Sequence, residues 1–214
     1  MRNCGALFDL DGVIIDSEGR YTEFWQEIDE IYPTGIPDYA VAIKGTTLPV
    51  ILNNYKSQEV RDDITKRLMN FQAQMKFEPY PGAIEFLEQL RRRDVPLALV
   101  TSSDDRKMER LFTVIPELKE LMSVVIDGSM VSRSKPDPEG YLRAAREIGR
   151  KPEECFVFED SLQGLAAARV SGAVVVGIAT TYPSHYIEQR ADIVVPALGD
   201  IDIDKLLAAD FSRP

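Results

Sequence analysis

The chain has 214 residues, with 35 Asp and Glu against 25 Lys and Arg, for a formal net charge of −10. A chain of this length forms one or two domains without needing a disulfide or a metal to fold, and 28% charged with 44% hydrophobic residues is an ordinary soluble globular composition. The acid excess argues against nucleic acid as a partner, since phosphate-backbone binding draws on clustered Lys and Arg.

The longest apolar runs, such as 95–100 and 173–179, fall far short of the roughly 18 residues of a membrane span. Met1 leads directly into a strand and an acidic motif without the features of a signal peptide. Cys4 and Cys155 read as small buried thiols at the edges of apolar runs. A cytoplasmic monomer with no membrane contact is the expectation.

In chain order, a first strand at 6–10 runs into Phe8-Asp9-Leu10-Asp11-Gly12-Val13, two carboxylates two residues apart, which strand alternation points to one side. Like charges brought together repel, so the pair needs a partner. Through 17–79 no convincing strand follows. A helix at 21–31 carries Tyr21, Phe24 and Trp25 at a spacing that packs them within the segment, and Ser57 can cap a second helix with Val60, Ile64, Leu68, Phe71 and Met75 on one face. Glu78-Pro79-Tyr80-Pro81-Gly82 marks the return to alternation. A helical unit inserted there would sit over the first strand's carboxyl end, with linkers at 13–17 and 78–81 free to hinge.

A helix at 82–93 then ends in Arg91-Arg92-Arg93, a favourable charge at a helix C-terminus. The strand at 95–101 ends in Thr101-Ser102-Ser103, hydroxyls and amides fit to cradle an oxyanion, ahead of a helix at 105–114 for which Asp104 or Asp105 is the cap. A strand at 124–127 precedes Ser134-Lys135-Pro136-Asp137-Pro138, one fixed cation before a helix at 138–148. The strand at 155–158 ends in Glu159-Asp160-Ser161, before a helix at 162–170. A strand at 173–178, a surface turn with the single histidine His185, a short helix at 187–190 and a strand at 193–195 complete the pattern. The fold class is α/β: a doubly wound, Rossmann-like parallel sheet over 1–16 and 80–214, with an inserted α-helical cap at 17–79. Such sheets place ligands beyond the carboxyl ends of their strands.

Carboxylates gathered at strand termini form a hard-oxygen cage suited to Mg²⁺. The chemistry that fits is phosphoryl transfer. Asp9 would attack phosphorus, Asp11 would protonate the leaving oxygen and later deprotonate water, and Mg²⁺ with Lys135 would offset the repulsion between anions. Thr101 and nearby amides would fix the phosphoryl oxygens.

These motifs resemble, over nearly the whole chain, the haloacid dehalogenase superfamily, and within it the subfamily that includes beta-phosphoglucomutase and small sugar-phosphate phosphatases. Asp9-Leu10-Asp11-Gly12-Val13 is similar to that family's first motif, Thr101 to its second, Lys135-Pro136 to its third and Glu159-Asp160-Ser161 to its fourth. The resemblance implies Mg²⁺ held by Asp9, the backbone carbonyl of Asp11, Glu159 and Asp160, and a small phosphorylated metabolite, a sugar phosphate, as substrate. It also implies substrate contacts from Ser102 and Ser103, and from Lys44, Gly45 and Thr46 of the cap. Asp11 argues against dehalogenation, which has no alkoxide to protonate. Leu48 stands where the mutases carry an Arg, Ser103-Asp104-Asp105 replaces their Lys and Asn, and Tyr21 replaces the mutase hinge histidine, which together favour hydrolysis over phosphate migration within the substrate. A phospho-aspartate signalling receiver uses similar residue types, but its acidic pair and phosphorylated Asp lie on different strands and it lacks a helical insert.

Overall fold

The computed structural model describes residues 4–209; the outer ends of the two predicted core segments, 1–3 and 210–214, lie outside the described residues. Six strands form one parallel sheet in the order β3-β2-β1-β4-β5-β6, with β1 Gly5–Phe8, β2 Leu97–Val100, β3 Val124–Ile126, β4 Cys155–Glu159, β5 Val174–Ile178 and β6 Ile193–Val195. Strands β1, β2, β4 and β5 are buried along their whole length, which explains their unbroken apolar runs. Side chains alternate between two cores. Phe8, Leu97, Leu99, Phe156 and Phe158 face one side, and Leu7, Ala98, Val100 and Val157 the other. Phe8 stacks on Phe158 with ring centroids 4.4 Å apart, and Phe86 meets both edge-on.

The helices, in chain order, are α1 Glu18–Ile31, α2 Tyr39–Ala42, α3 Leu48–Leu52, α4 Gln58–Gln74, α5 Ala83–Arg91, α6 Asp105–Val114, α7 Pro116–Leu121, α8 Glu139–Glu147, α9 Leu162–Ser171, α10 Ser184–Ile187 and α11 Ile203–Ala208. Helices α5, α6, α7 and α11 cover the first face, while α8 and α9 cover the second. The first four helices build a third core of their own, with Trp25, Ile28, Ile51, Ile64 and Leu68 at its centre. The two segments that join them to the sheet lie side by side: Asp16 N–H donates to Glu78 C=O at 2.8 Å, and Tyr80 N–H to Ile14 C=O at 2.9 Å. Among the described residues no helix is long and apolar enough to cross a membrane.

Several expectations need correction. The first strand ends at Phe8 rather than residue 10, because the Leu10 carbonyl accepts the amides of Val13, Ile14 and Ile15 and Gly12 turns the chain at φ 79°. Asp11 is therefore aimed by a tight turn, not by a strand pleat, while Asp9 continues β1 with its amide bonded to Phe158 C=O. The helix expected at 187–190 is displaced to α10, which starts directly after Pro183 and is anchored by the buried Ile187, whereas Glu188, Gln189 and Arg190 are exposed. Ser57 occupies the cap position of α4 with extended backbone, yet its side chain makes no capping bond. Asp104 does cap α6, accepting from Lys107 N–H at 2.9 Å. His185 is exposed, and Cys4 and Cys155 are buried.

Candidate active site

The sheet order reverses beside β1, whose neighbours β2 and β4 both come later in the chain, and at such a point the loops leaving the strands part to form a crevice. Asp9 leaves β1 there, with its amide donating to Phe158 C=O at 3.0 Å. Its Oδ1 accepts from Lys135 Nζ at 2.6 Å. Lys135 also bonds Glu159, reaches Val100 C=O at 3.4 Å and lies 5.0 Å from the Tyr141 ring centroid. Burial, opposed by Lys135 and reinforced by the negative charge of Glu159, pushes the Asp9 carboxyl up to about 8. Burial also works against charge on Lys135, but Asp9 and Glu159 more than restore it and hold the ammonium above its ordinary value.

Glu159 is fully buried and well satisfied. One oxygen takes Lys135 and, at 2.8 Å, Tyr141 Oη; the other takes the amides of Asp160 and Ser161 at 3.1 and 3.0 Å and the Ser161 hydroxyl at 3.0 Å. Asp160 differs: Thr181 donates to Oδ2, but Oδ1 is buried with no hydrogen-bond partner. Burial, with the charges of Glu18, Glu159 and Asp9, raises the Asp160 carboxyl well above its ordinary value. Asp9, Glu159 and Asp160 each offer an oxygen within 4.8 Å of the others. A buried carboxylate oxygen left unpaired among other carboxylates costs free energy until a cation or proton meets it. Hard oxygen donors in this arrangement fit Mg²⁺.

Asp11 faces the other side of the crevice. Its carboxylate takes Ser17 Oγ from the start of the helical segment, Ser103 Oγ at 2.9 Å, and Lys107 Nζ at 2.5 and 2.6 Å. Burial alone would raise this carboxyl, but Lys107 and the hydrogen bonds hold it below its ordinary value. Lys107 was not foreseen. It is 2% exposed and its Nζ lies 4.5 Å from the Tyr21 ring centroid, so one ammonium joins α6, the β1 turn and α1. The available signal was a lysine on the inward stripe of α6, beside the buried Met108 and four residues before Leu111.

Thr101 is buried, with its oxygen accepting the Ser103 amide at 3.1 Å, which leaves the hydroxyl proton to donate elsewhere. Ser102 Oγ donates to Gly45 C=O at 2.7 Å, and Thr47 N–H donates to Ser134 Oγ at 2.8 Å, so the cap loop rests on the core. Gly45 sits at φ 78°, and a Cβ there would fall 2.4 Å from Ser161 Oγ, so both conformation and space require glycine. Lys44 is ion-paired with Glu18, and Thr46 Oγ1 donates to Ile43 C=O at 2.6 Å. These groups enclose a cavity of about 290 Å³, lined by Asp9, Asp11, Thr101, Ser102, Ser103, Lys44, Gly45, Thr46 and Asp160 among others. Of the acidic pair after Ser103, Asp104 lines it, whereas Asp105 is exposed and bonds the Arg106 amide at 2.8 Å.

The arrangement sets a carboxylate beside a buried ammonium, a second carboxylate with its own lysine, and a place for a cation between strand ends. Comparison with known proteins agrees with that chemistry. The profile of haloacid dehalogenase-like hydrolases matches residues 5–172. Validoxylamine A 7'-phosphate phosphatase of Streptomyces hygroscopicus subsp. limoneus is 32% identical over 205 residues, covering 92% of this chain and 94% of that protein. The phosphorylated carbohydrates phosphatase of Thermotoga maritima is 32% identical over 178 residues, covering 78% and 81%. In fold the chain is similar to the crystal structure of beta-phosphoglucomutase from Clostridium difficile, with a TM-score of 0.77 at 19% identity over 97% of this chain and 96% of that one.

Proposed function

From the premise that the chain belongs to the haloacid dehalogenase-like hydrolases and is a phosphohydrolase, we propose that it is a Mg²⁺-dependent phosphatase hydrolysing a small sugar-type phosphate monoester through an aspartyl phosphate on Asp9, acting as a cytoplasmic monomer. The observation that carries this reading is Asp9 at the switch point of the sheet, 2.6 Å from Lys135 and grouped with the unpaired Asp160 Oδ1.

Asp9, Glu159, Asp160 and the backbone carbonyl of Asp11 would hold the ion. Bound there, Mg²⁺ would supply positive charge that lowers the repulsion between Asp9 and a phosphate ester. Asp9 attacks phosphorus through one carboxylate oxygen, the bond from phosphorus to the alcohol oxygen breaks, and Asp11, protonated at this stage, passes its proton to that oxygen. Thr101 Oγ1 donates to a phosphoryl oxygen, and Lys135 holds Asp9 in line. In the second step Asp11, again a carboxylate, takes a proton from water as its oxygen attacks phosphorus. The bond from phosphorus to Asp9 breaks and inorganic phosphate leaves. The contacts from Lys107, Ser17 and Ser103 describe Asp11 in this base form.

Hydrolysis is favoured over transfer to a second position of the sugar because Leu48 and Asp104 stand in the cavity and Lys44, the one lysine that lines it among the described residues, is already paired with Glu18. Phosphate release from a panel of hexose, pentose and triose phosphates with Mg²⁺, compared with glucose 1-phosphate plus its bisphosphate activator, tests the reading. Release that needs the metal and fails in Asp9→Asn supports it; conversion of glucose 1-phosphate to glucose 6-phosphate faster than phosphate release contradicts it.

A further inference from the structure

The loop after β5 reaches the same crevice as the loops after β1, β2 and β4. The register pairs Glu159 with Gly177, so β5 ends beside the acidic motif that leaves β4. The Ala179 amide still bonds Val195 C=O at 2.8 Å, and the next two side chains reach back to the crevice. Thr180 Oγ1 donates to Gly12 C=O, and Thr181 Oγ1 donates to Asp160 Oδ2. Adjacent hydroxyls from one strand end thus hold both the turn after β1 and the acid after β4. The far end of the loop is anchored by the buried Ile187 and by Tyr182, whose ring stacks on Tyr186 with centroids 5.4 Å apart.

These contacts fix the groups assigned to the cation. The Gly12 amide donates to Ile15 C=O at 3.0 Å, so with Thr180 on the Gly12 carbonyl both peptides around Gly12 are held, including the one that carries the Asp11 carbonyl. The Asp160 carboxyl lies directly against this turn: a Cβ on Gly12 would overlap its Oδ2 and stand 2.6 Å from its Cγ. Oδ2 is therefore confined by Gly12 and Thr181, while Oδ1 is buried without a hydrogen-bond partner. Asp9 is engaged likewise, through Oδ1, by Lys135. A carboxylate with one oxygen committed to a donor offers a cation the other oxygen alone. Mg²⁺ is small, demands a strict geometry and keeps several of its waters, whereas Ca²⁺ takes more oxygens at longer range and readily accepts both from one carboxylate.

We infer that Thr181, supported by Thr180, is a positioning residue of the metal site: by holding Asp160 Oδ2 it restricts Asp160 to one-oxygen coordination and so makes the site prefer Mg²⁺ to Ca²⁺. This inference rests on the Mg²⁺ reading above and adds to it the residues that choose the ion. Thr181 acts through Asp160, and Thr180 through the backbone of the turn, so removal of the Thr181 hydroxyl is the more damaging of the two. Groups that orient a metal ligand in this way change metal affinity when they are lost.

The test is calorimetric titration of the metal-free protein with Mg²⁺ and, separately, with Ca²⁺, without substrate. The unmodified protein should bind Mg²⁺ the more tightly. Thr181→Val, which removes the hydroxyl at nearly constant volume, should raise the Mg²⁺ Kd by about 10- to 100-fold and the Ca²⁺ Kd much less, so that the preference collapses. Thr181→Ser should restore it, and Thr180→Val should weaken Mg²⁺ less than Thr181→Val does. The Mg²⁺-induced rise in Tm gives a second readout, shrinking in the valine variant and returning in the serine one. In phosphate release, kcat at saturating Mg²⁺ should fall less than Mg²⁺ affinity does. Thr181→Ala provides the same comparison if the valine variant does not fold. An unchanged Mg²⁺ Kd in Thr181→Val, an equal proportional loss for both ions, a serine variant no better than the valine one, or a preference for Ca²⁺ in the unmodified protein would overturn the inference while leaving the phosphatase reading intact. Failure of the unmodified protein to bind Mg²⁺ at all would overturn the Mg²⁺-dependent reading itself.

Discussion

Lys107 holds both oxygens of Asp11 from a position that water does not reach, and a buried charge deprived of its partner is expensive. Lys107→Met should therefore cost about 3–5 kcal/mol of stability, and adding Asp11→Asn should return part of that loss, since the orphaned carboxylate is then gone. Urea unfolding of the two single variants and the double variant measures the coupling; additive losses would show that the pair is not the reason for the cost. Asp11→Asn alone should lower kcat by about 10²- to 10⁴-fold, the range of a lost general acid and base, in a steady-state assay of phosphate release. Asp9, Thr101, Glu159 and Asp160 were readable because each ends or directly follows an apolar strand, and Lys135 because it stands as a fixed cation between Ser134 and Pro136 in the loop before α8. Lys107 was not, because a lysine on the inward stripe of a helix reads as packing until its partner Asp11, 96 positions earlier in the chain, is placed beside it.

The loop that delivers Lys135 is tied down by the helix that follows it. Glu139, in the first turn of α8, accepts the amides of Ser132 and Arg133 at 2.8 and 2.9 Å and the Ser132 hydroxyl at 2.7 Å. The backbone bond from Ser132, then its hydroxyl and the Arg133 amide, hold the Glu139 carboxyl down at about 2 against an ordinary 4.5. A carboxyl lowered on folding contributes stability that is present above its unfolded value and fades as pH falls towards the folded one. The stability difference between the unmodified protein and Glu139→Gln should hence be constant above about pH 5, shrink below 4.5 and vanish near 2; a difference that does not change over this range would contradict the clamp. On the cap side, Gly45→Ala places a side chain at positive φ and against Ser161, which should cost about 1–2 kcal/mol, or roughly tenfold in kcat/KM, through poorer seating of the cap loop. At this scale the elements α1, α4 and α6 were readable from their periodicity, whereas α2, α3, α7 and α11, with four to six residues each, are too short to show one. A proline in the first turn of α3 and of α7 was the signal to be had.

Across the whole molecule, charge and architecture meet at the junction of cap and core. With all four carboxyls ionised, Asp9, Asp11, Glu159 and Asp160 are offset by Lys135 and Lys107, which leaves two negative charges for one divalent cation to neutralise. Chelation should therefore abolish turnover and added Mg²⁺ should restore it, as followed by phosphate release. Because Ser102 bonds Gly45 and Thr47 bonds Ser134, the cap covers the cavity, and a short chemical cross-link between cysteines placed at Thr47 and Ser134 should block multiple turnovers until it is cleaved. Full activity in the linked protein would show that substrate enters without the cap lifting. The helical insert was readable from the failure of strand and helix alternation after the first strand. Its pose over the core was not, since that depends on a handful of hydrogen bonds between loops far apart in sequence.

The central claim is that Asp9 carries the phosphoryl group between substrate and water. Acid quenching during turnover of a hydrolysed ester with Mg²⁺, followed by peptide mass spectrometry, tests it most directly. A phosphoryl group should appear on the peptide bearing Asp9 within the time of one turnover and be absent in Asp9→Asn, which should also release no phosphate above background. Full-rate phosphate release by Asp9→Asn, or a phosphoryl group on any other residue of the unmodified protein, would contradict the account.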